Sequence, residues 1–158
     1  MNPDDFGEQL NELIVCTFHS ILRVEERALK ESGSVDLSMS EMHLIEAVSL
    51  LQHAKATVSD LAAYLQVTLP SVTVAVNKLQ AKGYLAKVRA TSDARKVYVA
   101  LTDLGEAVNE YHTLFHRRMV NAISRNFTPQ EKGVLLQGVI KLNEFFSSLS
   151  EDARAYEL

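Results

Sequence analysis

The chain has 158 residues, of which 47% are hydrophobic and 23% are charged, so it can bury a sizeable core and stay in solution. Its net charge is −4, and no apolar run approaches the roughly 18 residues of a membrane span. These numbers argue against a disordered or membrane-inserted chain. Cys16 is the single cysteine and cannot form an internal disulfide. We therefore expect a cytoplasmic protein in which Cys16 is a packed thiol.

The N-terminal region predicts two helices. From about residue 5 to residue 30, apolar side chains recur at helical spacing, with Leu10 and Leu13 among them. The stretch "SGSVD" interrupts this pattern. Ser38 and Glu41 then have the spacing of a capping box, which predicts the start of a second helix.

The middle of the chain predicts a helix-turn-helix. Thr57 and Asp60 have capping spacing at the start of a short helix, and "QVT" leaves room only for a tight turn. Thr68 caps the next helix, Pro70 lies in its first turn, and Gly83 ends it. Two short helices joined in this way are a helix-turn-helix.

After this motif the hydrophobic period changes from 3.6 to 2. "YLAKV" and "VYVAL" alternate, and the polar stretch "RATSDARK" between them reads as the tip of a hairpin, or wing. A long helix follows from Thr102, and a last helix begins where Thr128 and Glu131 form another capping box. The predicted fold class is mostly α (α+β), a winged helix-turn-helix with N- and C-terminal dimerisation helices.

The predicted organisation is a single domain over residues 1–158. Residues 36–102 form the winged helix-turn-helix lobe, and residues 4–32 and 103–150 form the dimerisation helices. The stripes on the outer helices are too apolar to be left in water, which predicts a homodimer. The predicted dimer contacts are Leu10, Leu13, Val139, Leu142 and Phe146.

Charge is distributed unevenly along this acidic chain. Residues 68–101 hold six Lys and Arg against one Asp, a net +5, and the remainder carries 10 basic against 19 acidic residues, or −9. A basic helix-turn-helix and wing attract DNA to one face of the protein. The predicted DNA-binding residues are Thr68, Ser71, Thr73, Val74, Asn77, Lys78, Arg89, Asp93, Arg95 and Lys96.

These residue types suit different parts of a DNA duplex. The second helix of a helix-turn-helix enters the major groove, where hydroxyls and the Asn77 amide can reach base edges and Val74 can contact a thymine methyl. Arginine and lysine at the wing tip suit phosphates or the minor groove. Asp93 is placed to hold the Arg95 side chain extended.

The residues from "TVSDLAAYLQ" to "LTDLG" resemble the winged-helix core of the MarR-type bacterial transcriptional regulators. The specific marks are Asp93 and Arg95 of the wing, the helix end "KLQAKGYL" and the restart "LTDLG". The resemblance implies a homodimer that binds a palindromic operator in double-stranded DNA and usually represses. Val74 is a departure, because many members carry Arg or Lys there and base preference depends on that position.

The resemblance extends beyond the core. "VEERALKESGSVDLSMSEMHLIEAV" and "HTLFHRRMVNAI" are similar to the fatty-acid-synthesis repressor subgroup of streptococci and their relatives. This subgroup responds to acyl chains carried on acyl carrier protein. The similarity therefore implies control of fatty-acid synthesis genes, with acyl-acyl carrier protein as a partner.

Two histidines with helical spacing form a candidate effector site. His112 and His116 are four residues apart on the long helix and share a face. With His43 and Glu25 they offer four zinc ligands, and the four positions match the primary metal site of the zinc-uptake repressors of the same family. A zinc-responsive regulator is therefore the alternative to a regulator of fatty-acid synthesis. A third hypothesis is that the four residues form a polar cluster that couples the DNA-binding lobe to the dimer helices and needs no cofactor.

Other classes of function fit the sequence less well. It contains no nucleophile elbow and no phosphate-binding glycine loop, and no Glu lies between the paired histidines to act as a base, so we do not expect an enzyme. An interaction module that uses its winged helix for a protein partner would not need the concentration of positive charge.

Overall fold

The computed structural model describes residues 3–33, 36–51, 55–89 and 96–152. These ranges contain six helices and two strands, so the predicted class of a mostly helical winged helix-turn-helix is confirmed. In chain order they are α1 (Pro3–Glu31), α2 (Met39–Leu51), α3 (Val58–Leu65), α4 (Leu69–Ala81), β1 (Leu85–Arg89), β2 (Val97–Leu101), α5 (Asp103–Ser124) and α6 (Pro129–Asp152). None of these helices is both long enough and apolar enough to cross a membrane.

The chain divides into two compact units, Met1–Phe115 and His116–Leu158. The first contains α1 to α4, the hairpin and the start of α5. The second contains the end of α5 and all of α6.

The core of the first unit lies where α2, α3, α4 and the hairpin pack together. The predicted inner stripe of α4, formed by Val72, Val76 and Leu79, is confirmed because all three are buried. The largest fully buried side chains of this core are Met42, Leu44, Ile45, Val48, Leu61, Val76, Leu79, Leu85 and Val99. The DNA-binding candidates are therefore mounted on a packed scaffold.

Side-chain caps define the helix starts that the sequence predicts. The Ser38 backbone N–H donates to the Glu41 carboxylate over 2.8 Å, and the Glu41 N–H donates to Ser38 Oγ over 3.3 Å. This reciprocal arrangement satisfies two backbone donors that the helix leaves without a helical partner. The same arrangement joins Thr57 with Asp60 and Thr128 with Glu131.

The wing is an antiparallel hairpin whose register runs from Leu85 opposite Leu101 to Arg89 opposite Val97. The Val99 backbone N–H also donates to the Ala56 carbonyl over 2.9 Å. The chain just before α3 thus forms an isolated β-bridge with β2, on the side away from β1. The base of the wing is thereby fixed to the helix-turn-helix.

Two glycines allow the chain to turn closely around this lobe. Gly83 has φ +84, a left-handed conformation that glycine adopts without strain at the end of a helix. At Gly105 an added Cβ would lie 2.2 Å from the Tyr84 carbonyl oxygen, so α5 approaches the backbone where the wing begins. The Thr102 hydroxyl caps α5 by accepting from the Gly105 N–H over 3.2 Å. These contacts give a physical reason for the "LTDLG" restart.

Cys16 lies on an exposed part of α1. The expectation of a packed thiol is therefore wrong. Among the described side chains of α1, the buried ones are Glu25, Ala28 and Leu29, near the C-terminal end of the helix.

Candidate nucleic-acid interface

Helix α4 presents one buried face and one exposed face. The candidate residues on and beside it that were predicted to meet DNA are exposed: Thr68, Ser71, Thr73, Val74, Asn77 and Lys78. Val74 is the most apolar of them and is 67% exposed. An exposed helix of this kind can enter a major groove with its first turns leading.

Hydrogen bonds shape the N-terminal end of α4. The Thr68 hydroxyl accepts from the Ser71 N–H and lies 2.8 Å from the Ser71 hydroxyl. The Thr73 hydroxyl donates to the Leu69 carbonyl over 2.8 Å. Thr68 therefore serves first as the helix cap, and Thr73 can offer its oxygen to an incoming donor while it donates to the backbone.

A polar contact joins α4 to the wing. Lys87 Nζ on β1 donates to Asn77 Oδ1 over 2.5 Å. The bond uses the carbonyl half of the amide, so the Asn77 NH2 group keeps its two donor hydrogens for another acceptor. Lys87 thus lies beside the exposed face of α4, and it was not among the DNA-binding residues predicted from the sequence.

Glu41 provides a second polar contact between α2 and α4. Lys78 Nζ lies 3.0 Å from Glu41 Oε1, and the Glu41 side chain is only 7% exposed. Burial raises the pKa of Glu41, but the Ser38 N–H and the ammonium groups of Lys82 and Lys78 lower it more, to about 2. Glu41 is therefore a buried anion at neutral pH. The sequence predicted only its capping role, because Lys82 lies 41 residues away.

The wing brings two of its predicted basic residues to the surface. Arg89 at the end of β1 and Lys96 at the start of β2 are both exposed. Hydrogen bonds from Thr57 lower the pKa of Asp60, and the positive charge of Lys96 lowers it further. The predicted tip residues Asp93 and Arg95 lie outside the described residues.

Two of the effector candidates meet in the first unit. Glu25 on α1 and His112 on α5 are 5% and 4% exposed, and their ligand atoms lie within 4.8 Å of one another. His116 is half-buried and follows one turn later on α5. His43 does not join this group: it is exposed, and its ring centroid lies 6.3 Å from that of His112. The ligand atoms that lie within 4.8 Å of one another do not include an atom of His43, and its role as a fourth ligand stays a prediction.

His43 contacts a different feature. It lines an open cavity of about 410 Å³ between α2 and the α3–α4 turn. The residues that line this cavity are Ser40, His43, Leu44, Leu65, Val67, Ser71, Val72 and Ala75. His43 thus lies between the buried His112 and the first turns of α4.

The predicted dimer residues are incompletely buried within one chain. Leu13 of α1 is 64% exposed, and Val139 and Phe146 of α6 are 51% and 53% exposed. Leu10 and Leu142 are half-buried. Each outer helix thus carries apolar surface in contact with solvent.

Comparison with known proteins gives one consistent result. The model of the MarR family matches residues 35–96. The transcriptional regulator AdcR of Streptococcus pyogenes is 32% identical over 93 residues, which are 59% of this chain and 61% of that protein. The matched region thus spans less than two thirds of that relative. AdcR of Streptococcus pneumoniae is 30% identical over 107 residues, which are 66% of this chain and 71% of that protein.

A solved structure agrees over nearly the whole length. Streptococcus pneumoniae FabT in complex with DNA superposes with a TM-score of 0.83 and 34% sequence identity, and the match covers 90% of this chain and 98% of that one. The winged helix-turn-helix, its caps and these similarities lead to one conclusion: the chain belongs to the MarR family.

Proposed function

We propose that this chain is a transcriptional regulator that binds a palindromic operator in double-stranded DNA as a homodimer and acts as a repressor. The observation that carries the proposal is the exposed polar face of α4 beside a basic wing. The similarity to FabT, a protein solved in complex with DNA, supports it.

The charge distribution favours DNA over a protein partner. Residues 68–101 carry +5 in a chain whose net charge is −4. A local field of this sign attracts a polyanion, and each phosphate that a lysine or arginine neutralises releases counterions. Binding should therefore weaken steeply with salt.

The homodimer is supported by the apolar surface of α1 and α6. Leu13, Val139 and Phe146 each expose half or more of their surface in one chain. Covering such side chains is favourable by about 25 cal/mol for each Å² of apolar surface. A two-fold axis would set two α4 helices roughly 34 Å apart, one turn of DNA, and so match a palindromic site.

We further propose that the regulated genes belong to fatty-acid synthesis and that acyl-acyl carrier protein is the corepressor. The support is the resemblance of residues 24–48 and 112–123 to the fatty-acid-synthesis repressor subgroup, together with the place of His43, which lines a cavity with the first turns of α4. A ligand that packs near Glu25 and His112 can bias α4 through His43 if it prefers one arrangement over the other.

Zinc is the second candidate effector. Glu25 and His112 are buried with their ligand atoms within 4.8 Å, and His116 follows on the same face of α5. One carboxylate and two imidazoles are a donor set that zinc accepts. The resemblance of these positions to the primary metal site of the zinc-uptake repressors adds weight to this alternative.

An equilibrium titration tests whether the chain is a DNA-binding regulator or a protein-interaction module. The probe is a fluorescent duplex from the region upstream of the protein's own gene, with a base-shuffled duplex as control. Tight binding to the first and weak, salt-sensitive binding to the second supports a regulator, whereas equal weak binding contradicts it and favours an interaction module.

The effector is then identified in the same assay. Acyl-acyl carrier protein and zinc are added separately to the parent, to His112→Ala and to the matched control His19→Ala, an exposed histidine on α1. The effector that changes the affinity of the parent and of His19→Ala, but not of His112→Ala, is the one that acts at this site. If neither compound changes the affinity of any protein, both effector proposals are wrong.

A further inference from the structure

Glu41 holds two lysines of the α4 segment, and the two are held differently. Lys82 Nζ lies 3.0 and 2.9 Å from the two carboxylate oxygens, and it also donates to the Asp36 carbonyl. Its side chain is 18% exposed, whereas that of Lys78 is 61% exposed and contacts a single oxygen of Glu41. Lys82 is thus the enclosed partner and Lys78 the outer one.

The surroundings of Lys82 are fixed by further bonds. The Tyr84 hydroxyl donates to Asp36 Oδ1 over 2.8 Å, and Tyr84 is buried at the start of the wing. Glu41 itself is held in the capping box of α2 by Ser38. The carboxylate therefore stays in place whichever way the Lys78 side chain points.

Because of this difference, moving the Lys78 side chain away from Glu41 requires less free energy than moving that of Lys82. An ion pair with one well-exposed member contributes little to stability, because solvent screens it. Stranding a buried carboxylate would cost much more, but Lys82 keeps Glu41 paired when Lys78 leaves. Lys78 also lies next to Asn77 on the exposed face of α4, within one turn of Val74.

We propose that Glu41 is a positioning residue that holds Lys78 in the free protein and exchanges it for a DNA phosphate when α4 docks. The inference rests on the proposed DNA-binding function. It gives Glu41 a competitive role: DNA must displace the carboxylate to gain Lys78. Glu41 therefore weakens binding by a common factor to every duplex on which α4 docks and Lys78 contacts a phosphate.

The test is a double-mutant cycle in DNA binding at several salt concentrations. It uses the full chain as parent, Glu41→Gln, Lys78→Met and the double variant. Gln keeps the capping box, since Glu and Gln both serve at that position. Each protein is titrated against a duplex selected for tight binding from a random pool and against a shuffled duplex.

The expected pattern depends on Lys78 being present. Glu41→Gln should bind both duplexes about two- to fivefold more tightly than the parent, the effect of losing one exposed ion pair. The same substitution in the Lys78→Met background should give no tightening. Lys78→Met alone should reduce the slope of log affinity against log salt by about 1, since one phosphate contact is lost. Equal tightening in both backgrounds, or an unchanged slope, would overturn the proposal.

The lysine variants decide the matter if Glu41→Gln does not fold. Lys82→Met is the matched control. Lys78→Met should keep its midpoint of thermal unfolding within about 3 °C of the parent and reduce the slope of log affinity against log salt by about 1. Lys82→Met should lower the midpoint of thermal unfolding by more than this and keep the salt slope of the parent. A Lys78→Met protein that is destabilised as strongly as Lys82→Met contradicts the exchange. Failure of the parent to bind any duplex would instead refute the proposed function.

Discussion

The side-chain oxygen of Asn77 on α4 accepts a hydrogen bond from the ammonium group of Lys87 on β1, with 2.5 Å between Oδ1 and Nζ. The bond joins the helix proposed to read bases to the strand that carries the wing. It also orients the amide, because an oxygen that faces Lys87 turns the NH2 group away from it. Asn77 is thereby presented as a donor.

We predict that Asn77→Ala relaxes sequence discrimination. A hydrogen bond from the Asn77 NH2 group to a base edge contributes roughly 1 kcal/mol of discrimination, and alanine removes it. The measurement is the ratio of affinities for the selected duplex and for duplexes with single base changes. Lys96→Ala, at an exposed lysine beside β2, serves as the control, because the loss of a phosphate contact should lower affinity for all duplexes and leave the ratios unchanged. Ratios that survive in Asn77→Ala would show that Asn77 reads no base.

Val74 should read thymine through its methyl group. It is 67% exposed on the outer face of α4, where an aliphatic side chain can meet the 5-methyl of thymine. Replacing half-site thymines by deoxyuridine removes only that methyl. One buried methyl contributes about 0.8 kcal/mol, so the affinity of the parent should fall about fourfold for each contact.

Val74→Ala supplies the matched variant for this experiment. Its affinity should be nearly the same for the thymine and deoxyuridine duplexes, since the partner of the methyl is gone. Deoxyuridine outside the half-sites should affect neither protein. Equal losses in the parent and in Val74→Ala would place the methyl contact elsewhere.

Gly105→Ala should destabilise the protein strongly. The new Cβ would lie 2.2 Å from the Tyr84 carbonyl oxygen and 3.2 Å from the Tyr84 carbonyl carbon, and neither backbone atom can move without shifting the wing. Forced overpacking costs about 1–3 kcal/mol and sometimes more. Gly133→Ala on α6 is the control, because nothing lies within 4 Å of its new Cβ. It should stabilise the helix by about 0.5–1 kcal/mol.

Urea unfolding of both glycine variants checks this prediction. The parent, Gly105→Ala and Gly133→Ala are compared at one protein concentration. A Gly105→Ala protein as stable as the parent would mean that α5 does not approach Tyr84 this closely.

Glu41 should make the stability depend on pH in the acid range. Its pKa is about 2 in the folded protein and has an ordinary value of 4.5. A lowered pKa stabilises the folded state above the ordinary value, and this contribution is lost as the pH falls from about 4.5 towards 2. The full effect is on the order of 3 kcal/mol.

The check is the difference in free energy of unfolding between the parent and Glu41→Gln. It should be largest above pH 5 and shrink as the pH falls through 4.5 towards 2. Asp60 and Glu131 also have lowered pKa values, but both proteins contain them, so the difference isolates Glu41. A difference that does not change with pH would contradict the assignment.

Local patterns were enough to predict the elements but not the contacts between them. The boundaries followed from side chains that act within four residues, such as Thr68 at the start of α4 and Gly83 after its end. The link from Glu41 to Lys82 spans 41 residues, and no local pattern points to it. The bond between Asn77 and Lys87 likewise requires the packing of the hairpin on α4.

Among the effector candidates, too, the local spacing was predictable from the sequence and the packing of separate helices was not. The spacing of His112 and His116 on one helix was readable from the sequence, because a helix fixes the separation of positions four apart. The meeting of Glu25 with His112 was expected from the resemblance, and the structure places their ligand atoms within 4.8 Å. The outward position of His43 was not expected, since it depends on how α2 packs.

The central claim is that two copies of this chain bind one palindromic duplex through α4 and the wing. The most direct measurement is sedimentation equilibrium of the protein with the selected duplex, repeated with Arg89→Ala,Lys96→Ala, a variant of two exposed wing residues. We predict two chains per duplex, with an affinity that falls steeply with salt for the parent and less steeply for the variant. One chain per duplex, or identical salt dependence for the two proteins, would contradict it.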